Sequence, residues 1–377
     1  MSEPTAAVQV TCPTCGSPVG EGERFCENCG SALVPDAVPA APARAEGLPP
    51  GVVVVDADLA ALPASCAACG GRIAPDGYCE ECGTPARRPR DHWVEEPAPW
   101  VAAVCDRGVR HARNEDAIAV AARAEPGSFA ALVVCDGVSS APDSDRASLG
   151  AARAARDLLA RADGAAGAEA ALLAAGAAAH KAAAEVASRV ADQGATQAAD
   201  QGGGPPSTTF VAALLAEGRL TVGWVGDSRA YWLPDAAPDG SGEGSAGPVQ
   251  QAVQLTADDS WAAEAMALGV PRAEAESGPN AHAITRWLGA DAPDPRPRTV
   301  TRVLDAPGWL LLCSDGLWNY CSGAADLARL VDRTLSGSTD PDHDPDHAPA
   351  ALAAALVTWA VEQGGADNIS VALARVQ

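Results

Sequence analysis

From Trp100 onward the chain alternates short, wholly apolar runs with long alanine-rich stretches, and the two kinds predict different elements. Phe129–Cys135 (FAALVVC) is apolar at every position and runs into Asp136-Gly137, which predicts a buried strand and a turn. Residues 208–215, 220–225, 229–233, 251–255, 298–304, 309–314 and 369–376 read as further strands. Residues 146–162 and 168–190 are alanine-rich and free of proline, hence helices, and 261–268, 324–335 and 350–363 read the same way. Polar, Gly- or Asp-rich loops are expected at 192–206, at 234–249 and between the last two helices. Strands grouped together and separated by helices, without regular βαβ alternation, predict an α+β fold with mainly antiparallel sheets rather than a Rossmann-like one.

Upstream of residue 100 the pattern changes from apolar runs to paired cysteines. Eight of the 12 cysteines fall there, as Cys12-x2-Cys15-x10-Cys26-x2-Cys29 and Cys66-x2-Cys69-x9-Cys79-x2-Cys82. A CxxC pair on a tight turn aims two sulfurs at one point, and two such pairs complete a tetrahedral site that suits Zn²⁺ at ~2.3 Å per bond. A glycine follows each second cysteine (Gly16, Gly30, Gly70, Gly83) and lets the backbone turn beneath the metal. Disulfides fit poorly with a cytosolic chain, and a redox-active CxxC needs a thioredoxin-like βαβ context that is absent here. These segments resemble zinc ribbons, in which metal ligation replaces a core and no coordination position is left open for catalysis. The expected organisation is a ribbon at 8–34, a linker at 35–62, a second ribbon at 63–86, a linker at 87–99 and the main domain at 100–377.

Charge narrows the range of partners. The 26 basic and 49 acidic residues give a net charge of −23, which opposes binding to nucleic acid or to an anionic membrane. No stretch approaches the ~20 apolar residues of a membrane span, and the first residues, MSEPTAAVQV, do not read as a signal peptide. A cytoplasmic location is therefore expected.

The chemistry lies in carboxylates at strand ends. Asp136 follows LVVC, Asp315 follows LLLCS, Asp367-Asn368 precedes ISVAL, and Asn114-Glu115-Asp116 leads into AIAVAA. Acids gathered at a sheet's rim repel one another and need a cation, and oxygen-only ligation suits Mg²⁺ or Mn²⁺. Taken singly, each Asp-Gly is no more than a turn.

Taken in order, eight segments point further: GVRHARNED (108–116), VCDGV (134–138), STTF (207–210), VGDSRAY (225–231), LTADDS (255–260), ITRWLG (284–289), LCSDGL (312–317) and GGADNISV (364–371). Together they resemble the type 2C, metal-dependent serine/threonine protein phosphatases. That resemblance implies a four-layer α-β-β-α sandwich of two antiparallel sheets and two catalytic Mn²⁺ or Mg²⁺ ions, beside two structural Zn²⁺ in the ribbons. It implies that Asp136 bridges the ions, that the Gly137 carbonyl ligates one and that Asp315 and Asp367 hold the other. Glu115 then binds at or near the metal waters, and Asp116 supports the site from behind. A metal-activated water would attack phosphoserine or phosphothreonine directly.

The family pattern is departed from at four places. His111 stands where members commonly carry a phosphate-gripping arginine, so the phosphate-binding candidates are His111, Arg110 and Arg113. Asp136-Gly137-Val138-Ser139-Ser140 replaces Asp-Gly-x-Gly-Gly, and Val138 stands where some members have a histidine, leaving protonation of the leaving group to water or to His111. Asn319 replaces an aspartate that helps bind a third metal, so Asp227 is read either as a ligand of that metal or as a turn residue paired with Arg229. The expected partners are phosphoproteins, the substrates of a bacterial Ser/Thr kinase, with a protein partner at the ribbons. The alternative is a catalytically weak phosphoprotein-sensing scaffold that recruits partners through its ribbons.

Overall fold

The computed structural model describes residues 10–11, 18–19, 47–59, 62–162, 164–192, 204–235, 251–278, 283–336 and 349–377. It divides into two compact units, Met1–Ala43 and Arg44–Gln377. In the first, β1 (Val10–Thr11) pairs antiparallel with β2 (Pro18–Val19). Cys12, Cys15, Cys26 and Cys29 lie outside the described residues, as do most of the three expected loops.

The second unit runs in chain order through β3 (Val52–Val54), β4 (His92–Ala98), β5 (Val101–Asp106), β6 (Ala117–Arg123) and β7 (Phe129–Cys135) to helices α1 (Ser144–Leu159) and α2 (Ala168–Asp192). Strands β8 (Ser207–Thr208), β9 (Phe210–Ala216), β10 (Arg219–Val225), β11 (Arg229–Pro234) and β12 (Val253–Gln254) follow, then α3 (Trp261–Ala267) and α4 (Arg272–Ala275). The chain closes with β13 (Leu288–Gly289), β14 (Arg298–Val303), β15 (Gly308–Cys313), α5 (Asp315–Trp318), α6 (Ala324–Ser336), α7 (Pro349–Gln363) and β16 (Ile369–Val376).

Two antiparallel sheets form the centre. One has the order β14-β10-β9-β7-β6-β3, the other β12-β11-β15-β16-β5-β4. Alternate residues of each strand serve different layers, because side chains on a strand point to opposite faces. Ile118, Val120, Val211, Ala213, Leu310 and Leu312 meet between the sheets. Their neighbours Ala119, Phe210 and Leu214 pack under α1 and α2, while Trp309, Leu311 and Cys313 pack under α6 and α7. The result is an α-β-β-α sandwich. Its inner strands, such as β6, β7, β9 and β15, are apolar at nearly every position because both faces are covered. Trp224, Trp232 and Trp309 are buried in this packing, as are the thiols of Cys105, Cys135 and Cys313.

The segments read as linkers contain strands. Val52–Val54 pairs with Arg123, Ala122 and Ala121 at one sheet edge, and His92–Ala98 pairs with β5 at the edge of the other. In HWVEEPA the alternation is real but disguised. Trp93, Glu95 and Pro97 are buried while His92, Val94 and Glu96 are exposed, so one inward position carries a carboxylate and another a proline. Pro97 falls where the register shifts between Glu95 and Ala98, where no ladder donor is required of it. The second ribbon is thus inserted between the edge strands of the two sheets.

Candidate metal centre

Asp136 leaves β7 and is held by its backbone. Its N–H donates to Thr209 Oγ1 at 3.0 Å, and its carbonyl accepts from Thr209 N and from Thr208 Oγ1, both at 2.8 Å. The STTF segment therefore fixes the peptide groups on both sides of the carboxylate. Thr209 Oγ1 in turn lies 2.7 Å from Ser228 Oγ, which ties in VGDSRAY. Gly137 is wedged between two other segments of the site. A Cβ there would lie 2.5 Å from the Glu115 carbonyl and 2.9 Å from that of Ser144, so no side chain fits.

The other carboxylates arrive from different elements. Glu115 and Asp116 precede β6, Asp315 opens α5, and Asp367 lies just before β16. Asp367 packs so closely on the loop at Gly108 (φ +69°) that a Cβ on Gly108 would stand 2.1 Å from its carbonyl. Asp116 Oδ2 accepts from Ser370 Oγ at 2.8 Å, and Asp315 Oδ2 accepts from Asn319 Nδ2 at 3.0 Å. The second oxygens, Asp116 Oδ1 and Asp315 Oδ1, are buried and accept no hydrogen bond.

The acids raise one another's proton affinity. Burial pushes Asp136 well above the usual carboxylate range, and the charges of Asp116, Asp315, Asp367 and Asp227 push it further. Asp315 is raised by burial first and then by Asp367, Asp227 and Asp116. Burial lifts Asp116 to about 6, against the pull of the Ser314 hydroxyl, and Asp227 to about 7, with Asp258 adding to the effect. Buried, oxygen-rich and mutually repelling, with two buried oxygens that accept no hydrogen bond, this donor set fits hard divalent cations.

The basic residues are placed less simply. His111 Nε2 lies 3.2 Å from Asp367 Oδ1 and its Nδ1 3.8 Å from Glu115 Oε2. Arg113 holds Glu115 Oε1 through Nε at 3.0 Å and Nη2 at 2.9 Å. Both therefore brace Glu115, while Arg110 is exposed. Arg229 does not select Asp227 as its main partner. Its buried guanidinium stacks 3.6 Å from the Trp318 ring centroid and binds Asp258 Oδ2 at 2.6 Å and Glu276 Oε1 at 3.3 Å. The Trp318 indole N–H donates to the Asp227 carbonyl at 3.0 Å.

Sequence reasoning gave Asn368 and Arg90 no role. Asn368 stands inside GGADNISV, beside Asp367, whereas Arg90 lies in the segment 87–99 expected to be a linker.

A protein phosphatase 2C family model matches residues 107–358, which include Glu115, Asp116, Asp136, Asp227 and Asp315, while Asp367 follows the matched residues. The chain belongs to the protein phosphatase 2C family. Among curated relatives in the family, the serine/threonine phosphatase stp of Listeria innocua serovar 6a is 30% identical over 169 residues, 44% of this chain and 55% of the relative. The match thus spans about half the length of that relative. The structure of the Mycobacterium tuberculosis serine/threonine phosphatase PstP/Ppp superimposes with a TM-score of 0.52 at 26% identity, covering 75% of this chain and 99% of that one. The catalytic domain of PstP in complex with 2 manganese ions gives 0.50 at 25% identity, with 75% and 99% covered.

A zinc-ribbon domain model matches residues 11–33. The second ribbon is seen directly. The sulfurs of Cys66, Cys69, Cys79 and Cys82 lie within 4.8 Å of one another and are not bridged. The separations of 3.7 Å for Cys66–Cys82 and 3.4 Å for Cys69–Cys79 and Cys69–Cys82 approach the ~3.8 Å edge of a tetrahedron with ~2.3 Å bonds. Ala68 N and Gly71 N each approach a sulfur at 3.4 Å, the amide support that thiolate ligands need. The four cysteines fit Zn²⁺.

Proposed function

We propose that this chain is a metal-dependent protein serine/threonine phosphatase, hydrolysing phosphoserine and phosphothreonine at a binuclear Mn²⁺ or Mg²⁺ site. The observation that carries this reading is the convergence of Glu115, Asp116, Asp136, Asp315 and Asp367 on one rim, with buried oxygens of Asp116 and Asp315 left without hydrogen bonds. The phosphatase activity for which the Listeria relative is named and the manganese ions of the PstP catalytic domain support it. In this reading Asp136 would be shared by both ions, the Gly137 carbonyl would help hold one, Asp315 and Asp367 would hold the other, and Glu115 would bind at or near their waters. Bound there, the cations offset the carboxylate charge, acidify a water and orient the phosphoryl oxygens.

The chain's own residues do the positioning. Thr208 and Thr209 keep Asp136 in place, and Arg113 with His111 keeps Glu115 in place. His111, half-exposed beside Asp367, is the group placed to pass a proton to the departing seryl or threonyl oxygen. Asn319 occupies Asp315 Oδ2, which opposes a third ion between Asp315 and Asp227. Phosphoproteins made by a bacterial Ser/Thr kinase are the proposed substrates, and the ribbons are a proposed protein-docking appendage. Among the described residues no helix is long and apolar enough to cross a membrane.

One observation favours a second reading. The guanidinium of Arg113 is committed to Glu115, which leaves the exposed Arg110 rather than an arginine fixed in the site for phosphate, as a protein of low turnover would tolerate. Phosphothreonine-peptide binding measured beside phosphate release separates the two. Release that requires Mn²⁺ or Mg²⁺ supports the phosphatase, whereas tight binding without release supports the scaffold.

A further inference from the structure

The turn that carries Glu115 and Asp116 is held in part by a residue that precedes the stretch matched by the family model. Arg90 precedes the matched residues 107–358, and its guanidinium reaches into the back of the site. Nε donates to the Asn114 carbonyl and Nη2 to the Asp116 carbonyl, both at 3.0 Å. Ser148 of α1 donates to the carbonyl between them, that of Glu115. Three consecutive carbonyls are thus taken by two side chains. Arg90 Nη2 also reaches the Asp145 carbonyl at 2.6 Å, joining the turn to the start of α1, and Asn114 Nδ2 returns a bond to the Arg90 carbonyl at 3.1 Å.

Arg90 lies on the segment that leaves the second ribbon. Cys79 N donates to the Thr84 carbonyl at 2.9 Å and Ala86 N to that of Gly77 at 2.7 Å, so residues 84–86 are part of the ribbon's own hydrogen bonding. Four residues later the Pro89–Asp91 3-10 turn presents Arg90. Asp91 anchors its far end, the Asp91 carbonyl accepting from Arg107 N at 2.8 Å and Oδ1 lying 3.4 Å from Arg107 Nε.

We propose that Arg90 is a positioning residue for the metal-binding turn Asn114–Asp116, carried there by the strap that leaves the second zinc ribbon. This rests on the reading that Glu115 and its neighbours hold divalent cations. Main-chain carbonyls fixed by a rigid fork leave the Glu115 and Asp116 side chains little freedom, and groups that orient metal ligands in this way are worth about 10–100-fold in metal affinity. The second ribbon is then part of the catalytic framework.

The test is Mn²⁺ binding by isothermal titration to the full zinc-loaded chain, with Arg90→Ala, Arg90→Lys and Arg153→Ala beside it and peptide hydrolysis followed in parallel. Arg153 is the control, since it ties the strand before the ribbon to α1 through the Ala57 carbonyl at 3.0 Å and Asp56 at 3.3 Å without touching the turn. Arg90→Ala is expected to weaken Mn²⁺ binding about 10-fold. Arg90→Lys should recover part of that loss, and Arg153→Ala should lower the melting temperature while leaving Mn²⁺ affinity within about two-fold of wild type. Wild-type Mn²⁺ affinity in folded Arg90→Ala overturns the proposal. If Arg90→Ala does not fold, unchanged affinity in Arg90→Lys overturns it instead. A wild-type chain that binds Mn²⁺ yet releases no phosphate defeats the phosphatase reading alone, and weaker binding in Arg90→Ala then still upholds this proposal.

Discussion

The side-chain oxygen of Asn368 accepts the backbone N–H of Glu115 at 2.7 Å, across 253 residues of sequence. The same amide donates through Nδ2 to the carbonyls of Arg107 at 2.8 Å and Arg113 at 3.2 Å. One buried side chain thereby holds the whole loop from Arg107 to Glu115 against the strand end that carries Asp367. Asn368→Ala leaves three backbone groups without their partner. It is expected to cost about 2–4 kcal/mol in urea unfolding and to weaken Mn²⁺ binding. A loss below about 0.5 kcal/mol would contradict this role.

Glu95 predicts a pH dependence that has nothing to do with catalysis. It is fully buried between the sheets, with Val120 N donating to Oε2 at 3.1 Å and Oε1 unpartnered, and burial raises it to about 8. The folded chain therefore keeps the Glu95 proton up to about pH 8, whereas an unfolded chain releases it near ~4.3. Between those values the folded state binds more protons, so its stability falls as pH rises, by up to about 1.4 kcal/mol per pH unit from this group. Glu95→Gln should flatten the melting temperature between pH 6 and 8 and raise it at pH 8. Parallel wild-type and variant profiles would contradict it.

The ribbons predict two zinc ions per chain, measurable by elemental analysis after mild chelation that removes Mn²⁺ and Mg²⁺. Cys79→Ser should reduce the content to one and speed amide exchange at residues 84–91, where the strap hangs on the Cys79 and Gly77 backbone. Fewer than one zinc in the wild-type chain would contradict the double ribbon.

His111→Arg tests the phosphate pocket. An arginine fork beside Asp367 and Glu115 offers charge-assisted, paired donors that imidazole lacks. The expected result is a KM for a phosphothreonine peptide lowered about 10-fold, with kcat falling by about 100-fold or more because the guanidinium cannot replace the imidazole as a proton donor. An unchanged or higher KM would mean that another group binds the phosphate.

The sandwich was legible because strands covered on both faces announce themselves as apolar runs, as FAALVVC and the final ISVALARV do. The acidic rim was legible because its members sit where such runs stop. The edge strand HWVEEPA escaped because its inward positions include Glu95 and Pro97, so alternation of burial does not show as alternation of hydrophobicity. Pairing with Arg229 is one of the two readings open for Asp227 in the sequence, but the carboxylate partners of Arg229 are Asp258 and Glu276, across the fold. Arg90 escaped for a similar reason, since a side chain that binds carbonyls leaves no pattern in the residues it binds.

The central claim is tested most directly by phosphate release from a phosphothreonine peptide with and without Mn²⁺, in the wild-type chain and in Asp136→Asn. Release that depends on Mn²⁺ and falls by at least about 100-fold in the folded variant is the predicted result. Equal release by the two proteins, or none from a wild-type chain shown to bind Mn²⁺, would contradict it.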